Sequence, residues 1–149
     1  MDLYQELIIE HAKRPHRAGL RAPFDAEVHH INPTCGDEVT LRVARDGDVL
    51  SDISYDSLGC SISVASGSML ADLLTGEDLD SARTTFAAMR SMLTSKGADP
   101  GDEEVIGDAI ALAGVAKFPA RVKCALLSWM ALADALAKTG VNLSEESHV

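Results

Sequence analysis

The chain has 149 residues, 46% of them apolar, which is enough for one sizeable core. Thirteen basic against twenty-three acidic residues leave a formal net charge of −10, which repels phosphate backbones and anionic lipid surfaces; nucleic acid and membranes are therefore not expected as partners. Three cysteines cannot all pair within one chain, and a reducing compartment keeps such thiols free for metal or chemistry.

The opening MDLYQELIIEHAKRP has no apolar run of signal-peptide length, and Asp, Lys or Arg interrupts every later apolar stretch. A cytoplasmic protein is expected. Leu3 to Arg14 predicts an amphipathic helix capped by Asp2, with Leu3, Leu7, Ile8 and His11 on one side and Pro15 at its end. From Ala26 the pattern alternates through EVHHI, VTLRV and VLSDISY, and Arg45 to Asp48 (RDGD) supplies a hairpin turn. This predicts a small three-stranded antiparallel sheet.

After Gly59 the period becomes helical, with Ile62, Met69 and Leu73 in one stripe. Leu79 to Thr94 predicts another helix, and the acidic loop KGADPGDEE, Lys96 to Glu104, leads into a further one. The last helix opens at Pro119, carries Val122, Leu126, Trp129, Ala133 and Leu136 on one stripe, and ends at Gly140. Residues 1–140 are expected to form a single α+β domain with helices covering one face of the sheet, and 141–149 a flexible C-terminal tail.

Cys35 and Asp37 stand two apart in NPTCGDEV, a spacing that aims both side chains to one face of extended backbone; a turn in which Asp37 bonds its own backbone is the alternative. Cys60 follows Gly59 where strand pattern gives way to helix pattern, a position near backbone N–H groups that favours a thiolate, although a buried cysteine can also act as a small hydrophobe. Cys124 falls opposite the apolar stripe of the last helix, among Ser128, Ala131 and Ala135, a face that suits either a ligand or close packing. Together these four donors match the ligand number of a tetrahedral zinc site. Three soft thiolates bind firmly, and the harder carboxylate is the more readily displaced. The five histidines are expected mainly at the surface, and HExxH, GxGxxG and GxxxxGK[ST] are all missing.

NPTCGDEV, the GCSIS segment at Cys60, FPARVKCALLSW around Cys124 and the opening LYQELIIEHAKRPHRAG together resemble the IscU-like iron-sulfur assembly proteins over nearly the whole chain, and within them the SufU branch. Two features favour that branch: Lys123 stands where cluster scaffolds carry histidine before the third cysteine, and Cys60 and Cys124 lie farther apart than in those scaffolds. The resemblance implies an IscU-like (SufE-NifU) fold and a Zn²⁺ site of Cys35, Asp37, Cys60 and Cys124, with a transient iron-sulfur cluster on the same residues as the alternative. It further implies a sulfurtransferase-type acceptor, with Cys35 taking persulfide sulfur from a PLP-dependent cysteine desulfurase of the SufS type and stimulating it. Downstream SUF cluster-assembly components would follow, and Arg121 and Lys123 would help to hold the desulfurase.

Overall fold

The computed structural model describes residues 2–34 and 36–143. Helix α1, Leu3–Lys13, begins with a reciprocal cap: the Asp2 carboxylate accepts the Gln5 N–H at 2.8 Å, while the Gln5 side chain accepts the Asp2 N–H at 3.3 Å. Arg14 leaves helical geometry one residue before Pro15, as the restriction on pre-proline residues requires.

Strands β1 (Ala26–Asn32), β2 (Asp37–Asp46) and β3 (Val49–Leu58) pair antiparallel in the order β1-β2-β3. The expected alternation holds: Val39, Leu41 and Val43 of β2 are buried, as are Val28 of β1 and Ile53 and Tyr55 of β3. Gly47, at φ +61°, makes the β2–β3 turn inside the RDGD tetrapeptide.

The helical half comprises α2 (Ser61–Leu74), α3 (Leu79–Thr94), α4 (Glu103–Ile106) and α5 (Pro119–Lys138). The helix expected after the acidic loop is short, because α4 passes at once into a 3₁₀ segment over Gly107–Lys117, long for its type and buried through Ala109, Ile110, Ala111 and Leu112. One apolar cluster joins the sheet to all the helices beyond α1, whose Leu7 and Ile8 pack on its edge. It extends past Gly140 to Val141 and Leu143, so the segment expected as a tail begins with residues that pack; 144–149 lie outside the described residues.

Two helix faces differ from the sequence expectation. In α5, Val122, Leu126 and Ala133 are only half-buried, whereas Ala125, Ser128, Ala131, Leu132 and Ala135 are fully buried. The reason is that α5 packs on β1 and β2 and on α2 at once, so its small residues form the close contact. In α2, likewise, Ile62 and Leu73 are peripheral and Ala65 to Ala71 are buried almost all round. A Cβ on Gly67 would meet Ser128 Oγ at 3.0 Å, a measure of how closely α2 and α5 approach. Ser66 clamps the crossing, donating to the Ala125 carbonyl at 2.6 Å and accepting the Trp129 indole N–H at 3.0 Å.

Candidate metal centre

The site forms where the sheet hands over to α2, under the N-terminal turns of α5. Asn32 ends β1 and pairs in register with Asp37, which opens β2. The turn between them is closed by the Gly36 N–H donating to the Asn32 carbonyl at 2.8 Å. Asp37 is 1% exposed. Its Oδ1 accepts the backbone N–H of Cys60 at 2.9 Å, and Oδ2 lies 3.5 Å from the Cys60 sulfur. Cys60 is the N-cap residue of α2, so the junction predicted from the change of period is where the thiol stands.

Gly59 makes that approach possible. A Cβ there would sit 2.6 Å from Asp37 Cγ and nearer still to Oδ1, and the residue's φ of +154° is one that side chains rarely allow. Cys124, in the second turn of α5, is 5% exposed. Its thiol faces the Ala120 carbonyl at 3.6 Å, and the Asn32 Nδ2–H donates to its sulfur at 3.8 Å. Asn32 Oδ1 in turn accepts the Thr34 N–H at 3.2 Å, which aims the amide nitrogen at Cys124. Sequence reasoning missed both Asn32 and the role of Gly59.

One oxygen of Asp37 and the sulfurs of Cys60 and Cys124 all lie within 4.8 Å of one another. Cys35, the fourth expected donor, lies outside the described residues. An almost fully buried carboxylate beside two sulfurs is costly unless a cation or a proton is shared among them. Such a mixed sulfur and oxygen set suits a borderline divalent ion such as Zn²⁺. The two described cysteines differ in access, Cys60 being exposed and Cys124 buried.

Arg121 and Lys123 are both exposed, on α5 to either side of Val122. The Arg121 guanidinium lies 5.5 Å from the centre of the Phe118 ring and borders a groove of about 300 Å³ with Tyr4 and Ile62. Lys123 borders another, of about 330 Å³, with Ile31, Pro33 and Met130. Register places Ile31, Glu38 and Leu58 in one cross-sheet row beside Asp37, and Ile31 and Leu58 are 58% and 65% exposed. Apolar side chains therefore stand open around the centre.

The histidines depart from expectation in one case. His29 and His30 are at or near the surface, facing Thr40 and Asp134 respectively, but His11 is 2% exposed because α1 packs its inner side on α2 and the 3₁₀ segment. His148 lies outside the described residues. No helix among the described residues is long and apolar enough to cross a membrane.

Comparison with known proteins agrees with this architecture. The chain is 41% identical over 136 residues to the zinc-dependent sulfurtransferase SufU of Bacillus subtilis, covering 91% of this chain and 90% of that one. It is 40% identical over 137 residues to the iron-sulfur cluster assembly scaffold protein IscU of Streptococcus pyogenes, covering 92% and 84%. Among solved structures it is similar to a protein described as an iron-sulfur cluster assembly scaffold for the SUF system of Fervidobacterium islandicum, with a TM-score of 0.80 at 32% identity over 88% of this chain and 94% of that one. The N-terminal part of a NifU-like protein of Brucella abortus gives a TM-score of 0.84 at 28% identity, over 93% and 94%. The model of the NifU-like N-terminal domain matches residues 3–125, a span that holds all three cysteines and Asp37, and the chain belongs to that family of IscU- and SufU-like proteins.

Proposed function

We propose that the chain is a zinc-dependent sulfur acceptor in iron-sulfur cluster assembly, with Zn²⁺ held by Cys35, Asp37, Cys60 and Cys124. The observation that carries this reading is the convergence of the buried Asp37 carboxylate with the sulfurs of Cys60 and Cys124 inside 4.8 Å. The name of the Bacillus relative, a zinc-dependent sulfurtransferase, supports it. Bound there, Zn²⁺ supplies the charge that keeps cysteines as thiolates at neutral pH.

The sulfur donor is the persulfide of a SufS-type cysteine desulfurase. The Cys35 thiolate attacks the outer sulfur of that persulfide; a new S–S bond forms on Cys35 as the old one breaks, and the desulfurase cysteine leaves as its thiolate. The exchange balances without an external oxidant. Asn32 steadies Cys124 through its N–H···S contact, and the Cys60 N–H fixes Asp37, so the geometry of these two donors is maintained while the acceptor reacts. On a chain of net charge −10, the exposed cations Arg121 and Lys123, with Ile31, Leu58 and Phe118, form the surface on which the desulfurase docks. Downstream SUF components then take up the sulfur.

Purified protein should contain about one zinc per chain. Cys35→Ala should abolish stimulation of desulfurase turnover, read as alanine release; retained stimulation would transfer the acceptor role to the exposed Cys60. A second reading, a scaffold for a nascent cluster, is favoured by the 40% identity to the streptococcal protein named IscU. Anaerobic reconstitution separates the two. A stable visible cluster that transfers to an apo-acceptor supports scaffolding, whereas loss of activity when zinc is displaced supports sulfur transfer.

A further inference from the structure

Away from the cysteines, the C-terminal end of α1, the loop after it and α2 bring two imidazoles and a carboxylate together. We propose that His11, His16 and Asp72 form a second site for a borderline divalent transition-metal ion, separate from the cysteine centre. One ligating atom from each of the three lies within 4.8 Å of the other two. Two imidazoles and a carboxylate suit Zn²⁺, Co²⁺, Ni²⁺ and Fe²⁺, and differ in softness from the thiolate-rich set.

Hydrogen bonding fixes how His11 is presented. Its Nε2 is 3.0 Å from Asp108 Oδ2, and an ionised carboxylate only accepts, so in neutral His11 the proton sits on Nε2. Nδ1 then carries a lone pair. Ser68 Oγ, 2.7 Å away, accepts the His16 backbone N–H at 2.7 Å and gives its own proton to Nδ1, a hydrogen bond that an ion on His11 replaces. A histidine whose far nitrogen is held by a carboxylate is the arrangement that orients metal ligands. The loop is anchored as well, because the Tyr55 hydroxyl donates to the His16 carbonyl at 2.6 Å.

His16 Nδ1 is hydrogen-bonded to Asp72 Oδ2, a contact that a divalent ion between them would replace. Their side chains are 42% and 41% exposed, which gives the ion a way in from solvent, while His11 closes the inner side. Asp72 stands twelve residues along α2 from Cys60, about 18 Å at 1.5 Å per residue, so the two sites are independent. The assignment does not rest on zinc or sulfur chemistry at the cysteines.

Co²⁺ titration of the untagged full chain, stripped of its zinc with a chelator and kept anaerobic, followed by dialysis and absorbance, tests it. Wild-type protein should bind about two Co²⁺ per chain, one with intense sulfur-to-cobalt charge transfer and one with only weak ligand-field bands. His16→Ala should lower the total to about one and leave the charge transfer intact; Asp72→Asn, which keeps size and polarity, should do the same. Cys60→Ser should have the opposite effect, weakening the charge transfer and keeping the weak bands. A single Co²⁺ in wild-type protein, or a second one that survives both His16→Ala and Asp72→Asn, overturns the site.

Discussion

Asp37 is one carboxyl group that the chain commits to its interior, and Gly59 is the residue that lets it stay there. A methyl group on Gly59 would occupy the space of the carboxylate and would also have to adopt φ +154°. Gly59→Ala should therefore lower stability by about 1–3 kcal/mol, the usual cost of such a backbone position, and should weaken zinc retention by moving Asp37. Gly36 offers the contrast: its φ is +73°, but an added Cβ there meets nothing within 4 Å. Gly36→Ala should cost about 1 kcal/mol of backbone strain and spare Asp37. Zinc content and melting temperature of the two variants separate the effects. Equal metal loss in both would mean that backbone strain, rather than the clash with Asp37, is what the site feels.

At the scale of elements, α3 rests on its cap. Asp78 accepts the Ser81 N–H at 2.8 Å, and this bond holds its carboxyl below the ordinary value of 3.8. Since the folded-state pKa is depressed, the stabilisation is fully present above 3.8 and is lost as pH falls through the folded value. Asp78→Ala should melt at a lower temperature than wild type at pH 7, with the gap closing in acid below pH 3.8. A gap independent of pH would show that the carboxylate is not what caps α3. Caps and alternation of this kind are local, which is why α1, the three strands and the ends of α3 and α5 are legible in sequence. The buried face of α5 is not, since a helical wheel ranks Val122 and Leu126 above Ala131 and Ala135, while packing between two layers reverses that order. The site divides in the same way. Asp37, Cys60 and Cys124 are legible as candidate donors by residue type and context, and the fold brings the three together. Asn32 and Gly59 act through the β1–β2 register and the β3–α2 junction, which exist only once the chain has folded. His11 reads only as part of one side of α1 and His16 as a surface group, until α2 supplies Ser68 and Asp72.

For the whole molecule, an ion on these donors would tie the start of β2, the start of α2 and the second turn of α5 together, joining the sheet to the helical layer. The core does not depend on that tie. Trp129, Phe86, Leu41 and Tyr55 are fully buried well inside the elements, and the Ser66 clamp holds α2 to α5 without a metal. Chelation should therefore leave the protein folded at room temperature and lower its melting point. Free zinc at a hundred times its dissociation constant contributes about 2.7 kcal/mol, which for a chain of this size is a shift of about 5–10 °C. Trp129, the single tryptophan, reports both parts through its emission: unchanged on chelation at 25 °C, and red-shifting at a lower temperature on heating. Asp37→Ala should melt between the zinc-loaded and the chelated wild type, because the thiolates still hold part of the zinc. Loss of the buried Trp129 signal at 25 °C on chelation would instead make the metal a condition of folding, as in small zinc modules, and would refute the independence of the core.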